Sequence, residues 1–447
     1  MTKNRNSIRI GMFFIAVVFL SFVVGMAVSS TRVFPYSIFA DAHQGLLYVY
    51  NNVMIRLIEP DDNPYLYSES NAKSDGVVRF NPNHAQAGLT LFSSGHATAA
   101  FLMTLDGKIV HEWSYPFSKA WPSPPHVSLP VKDSNIFWRR THVFPNGDLL
   151  AIYEASGGSP GSYGLIKVDK ASDLVWSYPE LVHHDFDVAE DGRIYTLINE
   201  IKTEKNPQLR LIRGKFRTIA QRQFKYPILI DSIVELSAGG KELRRVSVLD
   251  AFLNSPFANI LAIAPARRWD VLHTNSVEVI TERFAKMHPQ LKAGQLLISL
   301  KEISAIAVLD MDKEQIVWAK IGSWREQHDA DQLENGNIMI FDNFGHLGPE
   351  RPWRVVEFNP VSGAEEWIYA GTKERPLYSS IRSGQQLLSN GNVLITESRK
   401  SRLLEVTRSG DIVWEFINPR SSIRHPGRRA ILCWAQRLDP RRLNFLK

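Results

Sequence analysis

The chain has 447 residues, of which 44% are hydrophobic and 22% charged, a composition typical of a globular protein that argues against a disordered chain. The formal net charge of +6 comes from scattered Lys and Arg residues, which argues against a nucleic-acid-binding protein and fits a pocket for a small anion. Cys433 is the single cysteine, so the sequence excludes an internal disulfide and a Cys-rich metal site.

The N-terminus has the pattern of a membrane-spanning segment. Lys3, Arg5 and Arg9 precede an almost unbroken apolar run, residues 10–28, close to the ~20 residues that a transmembrane helix needs. The basic flank predicts a cytoplasmic N-terminus and export of the remaining chain. We interpret residues 1–32 as an uncleaved signal anchor in the inner membrane, with the body in a bacterial periplasm. A cleavable signal peptide is the alternative, because Ala27-Val28-Ser29 is a fair cleavage site.

Residues 33–86 are interpreted as a juxtamembrane and connecting segment. The stretch 33–60 has few turn formers, whereas 61–86 contains Asn63-Pro64 and Asn81-Pro82, which are typical of loops. We therefore expect the folded body, residues 87–447, to begin close to Gly88.

From Gly88 onward the sequence repeats one unit with two features. The first is a strand pattern with a polar turn that ends in Trp, at Trp113, Trp176, Trp318, Trp367 and Trp414, with a degraded copy in residues 234–246. The second is an Asn-Gly or Asp-Gly hairpin upstream of most copies, at Gly147, Gly192, Gly336 and Gly391. Each unit therefore contains four short strands.

Repeats of four strands and ~40–50 residues predict a β-propeller. Six Trp-type strands predict an all-β fold with six blades, preceded by the N-terminal transmembrane helix. The first unit, residues 88–115, has room for three strands, and the apolar stretch 430–435 follows the last complete unit. We expect this C-terminal strand to pair with the first unit and close the ring, which removes an exposed sheet edge.

Several polar residues share one position relative to the hairpin turns. His184 and His328 each stand eight residues before a turn glycine, and Arg139 and Ser383 have the same offset. His273 opens the strand of the unit that lacks the glycine turn. Since the innermost strands of a propeller surround a channel, these side chains are expected to converge at one mouth of it. A lone His in such a place usually caps a strand, but three in register favour a site.

Two kinds of chemistry suit three histidines at one mouth, and the repeat alone leaves both open. Three imidazoles and a water form a catalytic zinc site, although no Asp or Glu repeats here as a fourth ligand. Alternatively, one His is a nucleophile and the others bind an anionic group, with Arg or Lys stabilising the developing charge.

Three segments together resemble the bacterial arylsulfate sulfotransferase family, in order and in blade placement, from about Gly88 to the C-terminus. They are His183-His184-Asp185, then His273-Thr274-Asn275-Ser276 with the later Leu297-Ile298-Ser299-Leu300-Lys301, and finally Gln327-His328 with Phe341-Asp342-Asn343. The match is specific as a set, whereas each motif by itself is weak.

The resemblance implies an exported six-bladed propeller that moves a sulfuryl group from an aryl sulfate to a phenol. It implies ping-pong transfer through a sulfohistidine, with no nucleotide sulfate donor, and we expect no cofactor and no metal. The position that matches the nucleophile is His328, and those that match the oxyanion and acid/base partners are His184 and His273. The residues expected to stabilise charge or bind substrate are Lys301, Arg139, His183, Asn275 and Asn343.

The sequence departs from the family pattern at Lys301. The family has Arg in a Ser-Ser-Arg sequence, where this chain has Ser299-Leu300-Lys301. Lys lacks the bidentate fork that suits a tetrahedral oxyanion. Either Lys301 serves with altered geometry, or Arg139 compensates, or the substrate differs.

Two other functions remain as alternatives. The first is a non-catalytic propeller that binds a partner in the cell envelope, because a fold does not fix a function. The second is a metal-dependent hydrolase that uses the three histidines.

Overall fold

The computed structural model describes residues 2–31, 33, 59–70, 72–127, 130–156, 161–202, 228–263, 270–343, 353–372 and 375–447. The chain divides into two units, Met1–Leu57 and Ile58–Lys447. The first unit contains helix α1 (Thr2–Thr31), in which Met12–Thr31 is apolar and exposed. These 20 residues span about 30 Å, so this segment has the length and composition of a membrane anchor or of a signal sequence.

The second unit is built from short strands. Those of its first half are β1 (Tyr67–Glu69), β2 (Gly76–Phe80), β3 (Leu89–Ser94), β4 (Ala99–Met103), β5 (Ile109–Ser114), β6 (Ile136–Val143), β7 (Leu149–Ala155), β8 (Ser162–Val168), β9 (Leu174–Tyr178), β10 (Val182–Val188), β11 (Ile194–Lys202), β12 (Ile228–Leu236) and β13 (Glu242–Ser247). Those of its second half are β14 (Thr274–Val279), β15 (Leu296–Leu300), β16 (Ala305–Asp310), β17 (Gln315–Ile321), β18 (His328–Gln332), β19 (Ile338–Asp342), β20 (Arg354–Phe358), β21 (Glu365–Ala370), β22 (Gly384–Leu387), β23 (Val393–Glu397), β24 (Arg402–Val406), β25 (Ile412–Ile417), β26 (Arg428–Ala430) and β27 (Leu432–Leu438).

Helical segments in this unit are short and lie in the connections. The α-helices are α2 (Phe117–Ala120), α3 (Val248–Leu253) and α4 (Glu282–Met287). The 3₁₀ turns are Pro60–Asp62, Asp133–Asn135, Ala258–Ile263, Lys301–Ile303, Ser398–Lys400, Pro440–Arg442 and Asn444–Leu446.

Six of the seven sheets in the described residues are antiparallel sheets of four or five strands, one for each blade, which confirms the predicted six-bladed propeller. Blade one has the order β27-β3-β4-β5, blades two to five contain β6 to β21 in consecutive fours, and blade six has the order β22-β23-β24-β25-β2. In blade one, Leu432 pairs with Ser94 and Leu438 with Leu89, so the C-terminal strand closes the ring.

The segment expected to connect the anchor to the propeller contains two strands. β2 pairs with β25 and adds a fifth strand to blade six, while β1 pairs with β26 in a separate two-stranded sheet. β2 therefore covers an edge of blade six that would otherwise be open.

The repeated Trp residues join neighbouring blades. Four of the five repeated indoles donate their N–H to a turn carbonyl of the next blade, in the pairs Trp113–Gly147 (2.8 Å), Trp176–Ala238 (3.3 Å), Trp367–Arg408 (2.9 Å) and Trp414–Leu105 (2.8 Å). The turn glycines have positive φ, +92° at Gly147 and +86° at Gly336, as the tight hairpins require. Apolar clusters fill the space between blades; one of them combines Leu150 and Ile152 of blade two with Phe186 and Ile198 of blade three.

Candidate active site

The innermost strands are irregular at one level near their starts. The pairing of five of them with the next strand shifts register, between Trp138 and Thr141, His183 and Phe186, Thr274 and Ser276, His328 and Asp331, and Leu432 and Trp434. A bulge breaks the strict alternation of a strand and re-aims its side chains. Nearby backbone is held at positive φ, with values of +57° at His184, +51° at His273 and +56° at Asp329. Such conformations cost of order 1–3 kcal/mol each and are concentrated at functional sites.

A pocket opens at this level, and every blade contributes to its lining. The lining residues are Arg139, Arg140, His184, Asp185, Asn275, His328, Asp329, Ser383 and Trp434. The shared offset from the turn glycine therefore brings together Arg139, His184, His328 and Ser383, with Asn275 beside them.

His328, the first residue of β18, is buried and has one nitrogen tied to the protein. Its Nδ1 lies 2.7 Å from Asn343 Oδ1 and 2.9 Å from Glu326 O. Asn343 donates its own Nδ2 to Ser379 O and Arg382 O, so its oxygen must face the imidazole. Both partners of Nδ1 are acceptors, which places the proton on Nδ1 and the lone pair on Nε2.

The His328 ring is held neutral. Burial lowers its pKa well below the ordinary value of 6.5, and the positive charges of Arg139 and Lys301 lower it further. The hydrogen bond to Asn343 opposes this shift without reversing it. A neutral imidazole with a free Nε2 is a competent nucleophile near neutral pH.

His184 belongs to a hydrogen-bonded chain that gives it the opposite tautomer. Ser162 donates to Asn199 Oδ1 (2.5 Å), so Asn199 Nδ2 points to Asp231 Oδ1 (3.0 Å) and to His183 Nε2 (3.1 Å). His183 Nε2 then accepts, and His183 Nδ1 donates to His184 Nδ1 at 2.7 Å. The proton of neutral His184 is therefore on Nε2, where it can donate to a ligand oxygen.

Both histidines of this chain are neutral. Burial and then the charge of His273 lower the pKa of His183 to about 3 and hold that of His184 well below 6.5. His183 does not line the pocket and acts behind His184, to which it is bonded.

His273 does not itself line the pocket but lies behind His184, with 4.9 Å between the two ring centroids. Its Nδ1 lies 2.5 Å from Asp270 Oδ2, and its backbone N–H donates to Asp270 Oδ1 at 3.1 Å. Burial opposes a charge on this ring, but the Asp270 carboxylate outweighs burial and raises the pKa of His273. The carboxylate holds Nδ1, so Nε2 is the nitrogen that can exchange a proton with a ligand.

Arg139 is a buried cation whose guanidinium is partly engaged by the protein. Its Nη1 donates to Cys433 O at 2.8 Å, and its Nε lies 3.7 Å from Glu154 Oε2. Glu154 also accepts from the backbone N–H of His184 at 3.0 Å. Arg139 therefore contributes positive charge to the pocket while its carboxylate partner positions the His184 backbone.

Lys301 lies on the 3₁₀ turn after β15 and does not line the pocket. Its Nζ is 3.5 Å from Glu302 Oε1 and 4.0 Å from Glu326 Oε2. Its charge still lowers the pKa of His328 and acts on His273, so it stands close to the site.

The sequence did not single out four lining residues, Arg140, Asp185, Asp329 and Trp434. Each lies next to a predicted residue or within the predicted closing strand, and a bulge brings it to the same level.

Asn275, which was predicted, donates Nδ2 to Gln327 O at 2.7 Å, and its buried Oδ1 has no hydrogen-bond partner among the described residues.

The three histidines are close together, with 6.3 Å between the ring centroids of His184 and His328. Within the described ranges, however, no group of three His, Cys, Asp or Glu side chains is arranged to hold a metal ion. Asn343 and Asp270 hold Nδ1 of His328 and of His273, respectively, and Nε2 of each ring has no hydrogen bond among the described residues.

Solved structures similar to this chain have low sequence identity. One is a protein of unknown function from Bacteroides caccae (12% identity, TM-score 0.46, 74% of this chain and 94% of that chain). Another is a streptogramin B lyase (11% identity, TM-score 0.40, 80% of this chain and 88% of that chain). These similarities are too low to bear on the chemistry of this chain. No curated protein matches the chain.

A family profile, in contrast, matches residues 152–419, which is more than half of the chain and includes His184, His273 and His328. The family is described as arylsulfotransferase (ASST), in agreement with the resemblance carried by the three histidine segments. The family assignment supports aryl sulfotransferase activity in general terms. The chain therefore belongs to the arylsulfotransferase family.

Proposed function

We propose that the pocket transfers a sulfuryl group from an aryl sulfate to a phenol, with His328 as the nucleophile. The observation that carries the proposal is the fixed tautomer of His328, with Nδ1 bonded to Asn343 and Glu326 and Nε2 free. A depressed pKa keeps that lone pair available.

In the first half-reaction, Nε2 of His328 forms a bond to sulfur while the bond between sulfur and the aryl oxygen breaks. The electron pair of the broken bond goes to the departing phenolate, which takes a proton from His273. In the second half-reaction, an acceptor phenol returns its proton to His273 and its oxygen bonds to sulfur. The bond between Nε2 and sulfur breaks, and neutral His328 is restored.

The remaining side chains support the charge on the sulfuryl group. His184, with its proton on Nε2, donates to a sulfuryl oxygen, and Arg139 and Lys301 supply positive charge at longer range. Asn275 lines the pocket and has a buried carbonyl oxygen without a hydrogen-bond partner among the described residues, which can hold an incoming phenol before its proton passes to His273. His183 and Asn343 act as positioning residues for His184 and His328.

The proposal is tested with the purified full chain in detergent and a chromogenic aryl sulfate, with and without a second phenol. We expect parallel double-reciprocal plots, and we expect His328→Ala to release no phenol while His425→Gln keeps full activity. His425 is a surface residue that pairs with Asp62 and does not line the pocket. A protein that only binds envelope partners would release no phenol in any form, and this result would reject the proposal.

We also propose that α1 is an uncleaved anchor in the inner membrane, with the propeller in the periplasm. The exposed apolar segment Met12–Thr31 of this helix, and the basic residues Lys3, Arg5 and Arg9 that precede that segment, support this orientation. In spheroplasts, added protease should degrade the propeller without lysis. Protection of the propeller would contradict the orientation.

A further inference from the structure

Arg140 is held on three sides at the edge of the pocket. Its guanidinium carbon lies 3.4 Å from the ring centroid of Trp434, its Nε lies 2.9 Å from Asp185 Oδ1, and its Nη1 lies 4.0 Å from Asp329 Oδ1. Stacking on an indole fixes the plane of a guanidinium, and the carboxylate fixes its direction. Arg140 is therefore oriented before any ligand binds.

The Arg140 guanidinium is held by stacking and by charge, and its Nη1 has no hydrogen bond within the described part of the chain. Nη1 of Arg140 is buried and has no hydrogen-bond partner among the described residues, and Arg140 lines the pocket together with His184 and His328. Leaving a buried charged donor unpaired is costly. A ligand oxygen in the pocket would remove that cost.

The other two cations are placed differently. Arg139 also has a buried Nε without a hydrogen bond, but that nitrogen faces Glu154 at 3.7 Å, and its Nη1 donates to Cys433 O. Lys301 lies between Glu302 and Glu326 and outside the lining. Arg140 combines a position in the lining with a buried Nη1 that has no hydrogen-bond partner among the described residues.

The two carboxyls beside Arg140 set the charge that the pocket accepts. Burial raises the pKa of Asp185 to about 7, against the attraction of Arg140, and it also raises the pKa of Asp329. Because Arg140 lies beside these two carboxyls, its positive charge is only partly balanced when one of them is protonated, and the pocket then suits one anionic group. A second negative charge on the ligand would be repelled by whichever carboxyl is ionised.

We infer that Arg140 donates Nη1 to a terminal oxygen of a singly charged sulfate ester and selects the sulfuryl group in this pocket. The identity of the anion rests on the proposed function. Arg140 then supplies, from blade two, the planar donor that Lys301 lacks.

The test measures equilibrium binding of benzylsulfonate to the full chain in detergent by titration calorimetry. Benzylsulfonate has the shape of phenyl sulfate, but its carbon–sulfur bond is not cleaved by the proposed reaction. We expect the Kd to rise roughly 10- to 100-fold in Arg140→Gln, because a hydrogen bond to a charged group is lost. Arg140→Lys keeps the charge beside Asp185 but not the planar donor, and it should also bind more weakly than wild type.

The matched control is Arg408→Gln. Arg408 likewise stacks on an indole, 4.5 Å from the Trp367 centroid, and pairs with a carboxylate, Glu357, but it lies on the outer part of blade six. The Kd of benzylsulfonate for Arg408→Gln should equal that for wild type.

Benzylphosphonate tests the preference for a single charge. It is doubly charged at alkaline pH and should bind wild type more weakly than benzylsulfonate.

The outcomes separate this inference from the proposed function. Equal Kd values in wild type and both Arg140 variants, or no binding to wild type, would overturn the role of Arg140. Binding that depends on Arg140 in a protein without phenol release would support the anion site and reject the transferase. Tighter binding of benzylphosphonate would overturn the preference for a single charge.

Discussion

The innermost strands have two levels that use polar residues differently. The upper level is that of the pocket, and the lower level lies three residues further along each strand. At the upper level, where the strands bulge, His184, Asn275 and His328 face the pocket and keep a nitrogen or oxygen free for a ligand. Three residues further along, each of three successive blades has a carboxyl group that accepts from the next blade. The pairs are Asp187 with Val279 N (2.8 Å), Glu278 with Gln332 N (2.7 Å), and Asp331 with Gln385 Nε2 (3.0 Å).

The difference shows how one repeat separates chemistry from assembly. Where the inner strand pairs regularly, a polar side chain reaches the neighbouring blade and joins the two. Where a bulge releases the strand from its partner, His184 and His328 turn to the pocket, while Asp185 and Asp329 of the same bulges line it and also accept from Val277 N (3.0 Å) and Gln385 N (2.9 Å) of the next blade. Variants at the upper level should therefore change activity, and variants at the lower level should change stability.

The largest effect among these tests is expected for His273→Ala at the upper level. A charged His273 is the proposed acid, so its loss should lower kcat by roughly 10²- to 10⁴-fold for donors whose phenol is a poor leaving group. Donors with a nitrophenol leaving group should be affected much less. Equal losses for both kinds of donor would contradict proton donation by His273.

The pH dependence of kcat gives a second view of the same residue. The pKa of His273 is raised by Asp270 and that of His328 is depressed by burial, so activity should fall on the alkaline side as His273 loses its proton. On the acid side it should persist below the ordinary pKa of His. Asp270→Asn removes the stabilising carboxylate and should move the alkaline limb to lower pH. An unmoved limb would show that another group titrates.

A smaller effect is expected for Asn199→Asp, which reverses the hydrogen-bonded chain behind His184. A carboxylate at position 199 would accept from His183 Nε2, so His184 would carry its proton on Nδ1 and lose its donor to the pocket. We expect kcat to fall by roughly 10²-fold, the usual loss for one oxyanion donor. Nitrogen NMR of the histidines reports the tautomer directly, and an unchanged His184 tautomer would contradict the chain.

The smallest effect on activity is expected for Glu278→Gln at the lower level, which should leave kcat unchanged. Burial and the charges of Asp187 and Asp329 raise the pKa of Glu278 well above its ordinary value. At a pH between the ordinary pKa of Glu and the raised pKa of Glu278, the carboxyl keeps its proton in the folded chain and loses it in the unfolded chain. The free energy of unfolding therefore falls as pH rises through this range. The variant cannot ionise and should lose this part of the pH dependence, as measured by thermal unfolding at acidic and alkaline pH. A drop in kcat would place Glu278 in the site instead.

The fold was accessible from sequence because its signals are local and repeated. In the hairpin turns only the glycine has positive φ, as at Gly147 and Gly336, so the glycine marks the turn in the sequence. A Trp-ended strand pattern recurs with these turns, and its six copies indicate six blades. The offset from the turn glycine also aligned His184 with His328, since equal positions in equal blades face the same channel. By contrast, β2 lies in a segment with no copy of the repeat, and its pairing with blade six depends on an edge that only the folded ring presents.

The details of the site could not be predicted from the regular alternation of side chains along a strand. Alternation places Arg139 and Arg140 on opposite faces, but the bulge between Trp138 and Thr141 brings both to the pocket. Asn199 and Asp231, which set the tautomer of His184, come from other strands of blade three and carry no local signal. The roles of the eight residues named from the sequence stay predictions, although Arg139, His184, Asn275 and His328 line one pocket.

The most direct test of the central claim is to locate the transferred group. The full chain is incubated with an aryl sulfate in the absence of acceptor and digested under alkaline conditions that preserve the acid-labile nitrogen–sulfur bond. The peptides are then examined by mass spectrometry. The account predicts one sulfuryl group on the peptide that contains His328, and its disappearance when a phenol is added. A sulfuryl group on another residue, or transfer to phenol by a chain that never carries one, would contradict it.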